Sequence, residues 1–249
     1  MRLTILGSDG GYPRAGGACS GYLLEHDGFN LVVDLGTGAL ANLQKHIPVE
    51  RIDAIALSHE HPDHTVDLYP LYVARRFSAQ EGLGPIPVFA PPGAFDRLVR
   101  IENDPDDDAF PTHYAPTEVE PGSTFEAGPF RVETRLLPHL VPNSGMRIGV
   151  NGSVLAYTGD SGTSDDVEWV GRDADLFISE ATQLDGETRW FHLSAREAAR
   201  HAAAAGAGAL VLSHFWPTRS REASLEQARE EFPGDLHVAQ EGMTFEVGG

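Results

Sequence analysis

The chain has 249 residues, 41% hydrophobic and 22% charged, a balance that suits a soluble globular protein with enough length to bury a substantial core within one domain, residues 1–249. Its 18 basic and 37 acidic residues leave a formal charge of −19, which repels polyanions and argues against a large nucleic acid as partner. No apolar run reaches membrane-spanning length, and the single cysteine, Cys19, excludes an internal disulfide, so the expectation is a cytoplasmic protein with no membrane contact.

Met1–Gly7 reads as a first strand, its apolar stretch too short for a signal peptide. The glycine-rich stretch 7–17 follows. No helix stands behind it, so it does not match a nucleotide-binding fingerprint; it either brings backbone close to a ligand or, the preferred reading, forms a flexible loop. Asp27-Gly28 suits the positive φ angles of a tight hairpin between Gly21–Glu25 and Asn30–Asp34. The apolar run Ile52–Leu57 reads as a buried strand and leads into Ser58-His59-Glu60-His61-Pro62-Asp63-His64. Three of the chain's 11 histidines fall in this turn with one aspartate. Imidazole nitrogen and carboxylate oxygen are ligand types for zinc and similar divalent ions, and a turn at a strand end can aim several of them at one point. Further on, Arg75 and Arg76 either contact phosphate or line a solvated helix face. Ala94–Ile101 is a helix candidate, and the acidic cluster Glu102–Asp108 a solvated loop.

A third hairpin is expected to turn at Ala127-Gly128 and lead into Phe130–Leu137, and a fourth to turn at Asn151-Gly152 between strands 146–150 and 153–157. Asp166–Val170 is a short helix candidate and Leu176–Ser179 a strand. Ser194-Ala195-Arg196-Glu197 is a capping box that opens an alanine-rich helix running to about Ala205 and stopped by Gly206. Strands at Ala209–Leu212 and Leu236–Ala239 flank a helix candidate at Leu225–Phe232. Hairpins come first and strand–helix alternation second in both halves, which suggests two packed sheets with helices outside.

His139, Asp160, Glu180 and His214 each close or follow an expected strand, and strand ends on one rim of a sheet converge even when distant in sequence. Two metals roughly 3.5–4 Å apart can clamp a hydroxide and lower the pKa of water toward neutrality. His59, His61 and His139 can serve one metal, Asp63, His64 and His214 the other, and Asp160 can bridge both. Zinc is the default for such ligands, with manganese or iron open. Two divalent ions, two aspartates and a hydroxide leave one positive charge, which a small phosphodiester monoanion neutralises.

This set, in this order, resembles the metallo-β-lactamase superfamily over essentially the whole chain. The resemblance implies an α/β protein with a four-layer αβ/βα sandwich and a dinuclear site at the sheet edge. Glu180-Ala181-Thr182, His192–Ala198 and Leu212–Phe215 resemble the ribonuclease Z branch. That branch implies a metal-bridged hydroxide positioned by Asp63, with Glu180 orienting His192 to protonate the leaving oxygen. Its tRNA-processing members carry a long exosite arm between the residues matching His139 and Asp160. Here the two are 160 − 139 = 21 residues apart, and a hairpin takes up that span. The closer resemblance is therefore to small armless phosphodiesterases, including atypical bacterial cyclic-nucleotide phosphodiesterases. Their pattern is similar to Thr65–Phe77 and to Phe215–Thr218 with Ser220-Arg221. Phe215 and Trp216 either stack on a base or pack in the core. The resemblance also allows a homodimer. The function expected is dinuclear metal-dependent hydrolysis of cyclic nucleotides or other small phosphodiesters. The rivals are tRNA 3′-end processing, hydrolysis of a lactone or ester, and metal binding without catalysis.

Overall fold

The computed structural model describes residues 1–78, 80, 82–101, 109–187 and 189–248, so the acidic cluster Glu102–Asp108 lies outside the described residues. In chain order the first half holds β1 (Arg2–Gly7), β2 (Gly21–His26), β3 (Phe29–Leu35), α1 (Ala39–Leu43), β4 (Ala54–Ala56), α2 (Pro62–Thr65), α3 (Leu68–Arg76), β5 (Ile86–Ala90), α4 (Ala94–Ile101), α5 (Ala109–Thr112) and β6 (Tyr114–Glu118). The second half holds β7 (Thr124–Ala127), β8 (Phe130–Leu137), β9 (Asn143–Val150), β10 (Ser153–Tyr157), α6 (Asp165–Gly171), β11 (Leu176–Glu180), α7 (Ala195–Ala205), β12 (Ala209–Ser213), α8 (Arg221–Arg229), β13 (Asp235–Val238) and β14 (Thr244–Glu246).

The strands form two seven-stranded sheets, ordered β14-β1-β2-β3-β4-β5-β6 and β13-β12-β11-β10-β9-β8-β7. Both sheets pair antiparallel through their hairpins and then parallel, from β3 to β6 and from β10 to β13. Successive side chains of a strand point to opposite faces. Tyr22 and Leu24 of β2 and Leu155 and Tyr157 of β10 therefore meet in one core between the sheets. Leu23 faces outward onto α1, α3 and α4, and Ala156 outward onto α6 and α7. Helix, sheet, sheet and helix are the four layers expected. Among the described residues, no helix is long and apolar enough to cross a membrane.

Asp27, Gly28, Asn151 and Gly152 all have positive φ, as two-residue hairpin turns demand. The third hairpin turns one residue later than expected: Ala127 pairs with Phe130, leaving Gly128-Pro129 as the turn. Ala127 is buried in the inter-sheet core, which keeps it in the strand. Helix α8 starts four residues earlier than read, because the Ser220 hydroxyl accepts from the Ala223 amide. The capping box of α7 and its Gly206 terminus are as expected. Strands β5 and β6 carry Pro87 and Pro116, which mask a strand signal, yet parallel pairing holds β5 beside β4 and β6 beside β5.

Candidate metal centre

The carboxyl ends of β4, β8, β10, β11 and β12 lie on one rim and carry the predicted ligands and Glu180, while His192 reaches Glu180 from the segment before α7. His59 follows β4, with His61 capping α2 and Pro62 opening it, a position where the missing amide costs nothing. Asp63 and His64 lie in that short helix. His139 follows β8, Asp160 follows β10, Glu180 ends β11, and His214 follows β12. His59 and His64 are fully buried, and Asp160 and His214 nearly so.

Ligand atoms of His59, His61, His139 and Asp160 lie within 4.8 Å of one another, as do those of Asp63, His64 and His214. Asp160 stands between the groups. Its Oδ2 is 3.8 Å from Nε2 of both His59 and His139, and its Oδ1 is 3.2 Å from His64 Nε2 and 3.3 Å from His214 Nε2. A third grouping brings His192 beside Asp160 and His214.

The outward hydrogen bonds decide what these rings present inward. His139 Nδ1–H donates to the Phe191 carbonyl at 3.0 Å, and His64 Nδ1–H donates to Asp34 Oδ2 at 2.7 Å. The Ser58 hydroxyl donates to Asp34 at 2.7 Å, so it accepts from His59 Nδ1–H at 3.0 Å. The Thr182 hydroxyl donates to the His214 carbonyl at 3.0 Å, so it accepts from His214 Nδ1–H at 2.8 Å. Each of these four rings thus turns its Nε2 toward the centre. His61 Nδ1 lies 3.0 Å from His59 Nε2 and 3.1 Å from His139 Nε2. A convergence of acceptors needs positive charge to hold it together. Among the described residues, buried His64 Nε2 and Asp160 Oδ1 make no well-directed hydrogen bond. A ring nitrogen whose proton a metal can displace, beside a carboxylate oxygen, fits a divalent cation.

Burial, then His64, holds His59 well below the ordinary imidazole pKa, and burial lowers His61 and His139 as well. They are neutral, the form that binds metal. Burial also opposes the charges of Asp63 and Asp160. Nearby imidazoles, His64 and His214 foremost, outweigh it and keep both carboxylates ionised. His64 is raised despite burial by Asp160, Asp34 and Asp63. Glu180 receives His192 Nδ1–H at 2.9 Å and the Ser161 amide at 2.5 Å. Burial disfavours charge on His192, but Glu180 outweighs it and pushes the ring up to about 9.

Asp34 is a site residue that the sequence reading overlooked. It sits at φ 53, between a Val33–Tyr22 and a Leu35–Gly21 pair, as the extra residue of a bulge. Bulges re-aim side chains next to functional sites. Its carboxylate receives Ser58 N, Ser58 Oγ, His64 Nδ1 and Tyr157 Oη, each at 2.7 Å. His214 is also left-handed at φ 55, a strain of about 1–3 kcal/mol at a residue with a β-carbon. The available signal for Asp34 was a carboxylate directly after the apolar run Leu31–Val33 near the end of β3.

Two further expectations are corrected. Arg75 is buried and donates to the Val49 and Gly84 carbonyls, so it neither reaches a phosphate nor lines a solvated face. The glycine-rich stretch is packed against the centre, with Gly11 N–H donating to Asp63 Oδ2 at 2.6 Å. Phe215 is core, whereas Trp216 is half-buried with the Arg189 guanidinium 5.0 Å from its ring.

Residues 29–215 match the beta-lactamase superfamily domain. The chain belongs to the metallo-β-lactamase superfamily. It is a metal-dependent hydrolase of that fold, similar to the ribonuclease Z-like branch. The probable metallo-hydrolase YhfI of Bacillus subtilis is 32% identical, over 99% of this chain and all of the relative. The YhfI crystal structure superposes with a TM-score of 0.89 at 31% identity, covering 98% of this chain and 99% of that one. Ribonuclease Z of Haloferax volcanii is 25% identical over 305 aligned positions, covering 99% of this chain and 95% of the relative.

Proposed function

We propose that this metallo-hydrolase cleaves small phosphodiesters, cyclic nucleotides foremost, at a centre for two divalent cations. The observation that carries the reading is the convergence of seven metal-ligating groups beside a Glu180–His192 pair. His59, His61 and His139 would hold one cation, Asp63, His64 and His214 the other, and Asp160 both, with zinc the default and manganese or iron alternatives. When bound, such ions acidify water and neutralise phosphoryl charge.

The chain's own residues supply the rest. Asp63, ionised and fixed by the Gly11 amide, orients the attacking water. His192 holds a proton up to about pH 9 and donates it to the leaving oxygen, while Glu180 keeps the ring in place. Burial of the groups around Asp160 excludes bulk water and strengthens their fields.

Small substrates are favoured by three features. The β9–β10 hairpin occupies the span between His139 and Asp160, the net charge is −19, and matching the Haloferax enzyme takes 305 positions against 249 residues here. Strand β14 returns to pair with β1, which supports treating residues 1–249 as one domain. We place its action in the cytoplasm.

The test is a hydrolysis screen of metal-loaded protein. It covers bis-p-nitrophenyl phosphate, 3′,5′- and 2′,3′-cyclic nucleotides, a trailer-bearing tRNA precursor and a lactone panel. Turnover of cyclic nucleotides is the expected result. Cleavage of the precursor or of lactones, with the small diesters untouched, would sink the assignment.

A further inference from the structure

The glycine-rich loop of residues 7–17 is a sequence feature whose main role the proposed chemistry leaves open. It runs strand-like between two other segments. Ser8 and Asp9 amides donate to the Ala18 carbonyl, Phe215 N donates to Ser8 O at 3.0 Å, and Gly10 N donates to Phe215 O at 2.9 Å. This track lays Gly10 flat against a histidine of the centre: a β-carbon there would lie 2.7 Å from Cε1 and Nδ1 of His214. The next amide, Gly11 N–H, donates at 2.6 Å to the Asp63 oxygen that stands 3.1 Å from His214 Nε2. Gly11 sits at φ 72, which side-chain-bearing residues rarely adopt.

The loop is anchored from behind by Asp9, which is fully buried. Its carboxylate receives Arg14 N at 2.9 Å, Arg14 Nη1 at 2.5 Å and Arg221 Nη2 at 2.6 Å. Arg14 also reaches Glu241 at 2.5 Å, and Arg221 opens α8. The anchor therefore ties the loop to two distant parts of the chain. Gly17 is needed for it, since a β-carbon there would fall 2.2 Å from Asp9 Oδ2.

We infer that this loop is a positioning element for one half of the centre, the half that contains Asp63 and His214. The Gly11 amide occupies one lone pair of Asp63 Oδ2 and fixes the carboxylate's direction. The bare face of Gly10 sets how far the His214 ring can move. Both contacts fall on the same half, so the loop tunes one cation position and not the other. This inference rests on the reading of the site as a two-cation centre.

Metal-free protein titrated with Co²⁺, followed by calorimetry and visible absorption, tests it. Circular dichroism of the metal-free chains checks folding. Wild type is expected to take up two ions. Gly10→Ala is expected to keep one ion at wild-type affinity and to bind the other about 10–100-fold more weakly, the usual reach of groups that support metal ligands. Asp9→Asn keeps the side-chain shape but loosens the arginine anchor, and shifts the same ion in the same direction. If Gly10→Ala does not fold, Asp9→Asn decides. Gly84→Ala, with open space around the site of substitution, is the control and should match wild type. Wild-type affinity for both ions in the two variants, or equal weakening of both ions, overturns the loop's role. A wild-type protein that binds fewer than two ions overturns the reading of the centre instead.

Discussion

The two halves of the centre are built on different principles. In the His59–His61–His139 half, neutral imidazoles face one another, oriented by the Ser58 hydroxyl and the Phe191 carbonyl. In the Asp63–His64–His214 half, every group has a dedicated supporter: Gly11 for Asp63, Asp34 for His64, Thr182 for His214. Neutral rings can be placed by ordinary loop geometry. A half with a carboxylate of its own, beside Asp160, is a dense cluster of charge in a buried place. It holds its geometry only if supporting groups restrain each member.

Substitutions can break or sharpen this contrast. Asp160 touches both halves, so Asp160→Ala should have the largest effect, with both ions lost and hydrolysis at background. Metal analysis that still found one tightly held ion would show the halves to be independent. His192 stands outside both predicted ligand sets. His192→Ala should keep its metal and lose roughly 10²–10⁴ in turnover. Loss of metal in that variant would make His192 a ligand, in keeping with its place beside Asp160 and His214.

Asp34→Asn should weaken the ion on the Asp63–His64–His214 half by about 10–100-fold. The other half feels Asp34 only through Ser58 and should lose less, which competition against a chelator would measure. The smallest effect is a shift in pH profile. His192 carries its proton below about 9, so activity that needs this proton falls as pH rises through that value. In Glu180→Gln the carboxylate charge that raises the ring is gone. The falling limb should then move toward the ordinary histidine value of about 6.5, with modest loss at low pH. An unmoved limb would separate His192 from the proton transfer.

Much of this could be read from the chain because the deciding forces are local. Asp27-Gly28 and Asn151-Gly152 specify hairpin turns by their own backbone preferences, and Ser194 with Glu197 caps α7 through amides three residues away. The hexapeptide His59–His64 announces its chemistry because its ligand types crowd into one turn. Strands β5 and β6 were harder to read, since their prolines obscure a signal that sheet neighbours restore.

The sequence by itself therefore determined the kinds of donor atoms, the turns and caps, and the order in which strands deliver ligands to a rim. Only the tertiary structure decided which ring nitrogen faces inward, that a bulge turns Asp34 onto His64, and that Gly10 lies on His214. Those facts depend on contacts between residues far apart in the chain. Neither partner carries a local preference for the other, so they arise only when both sheets are packed.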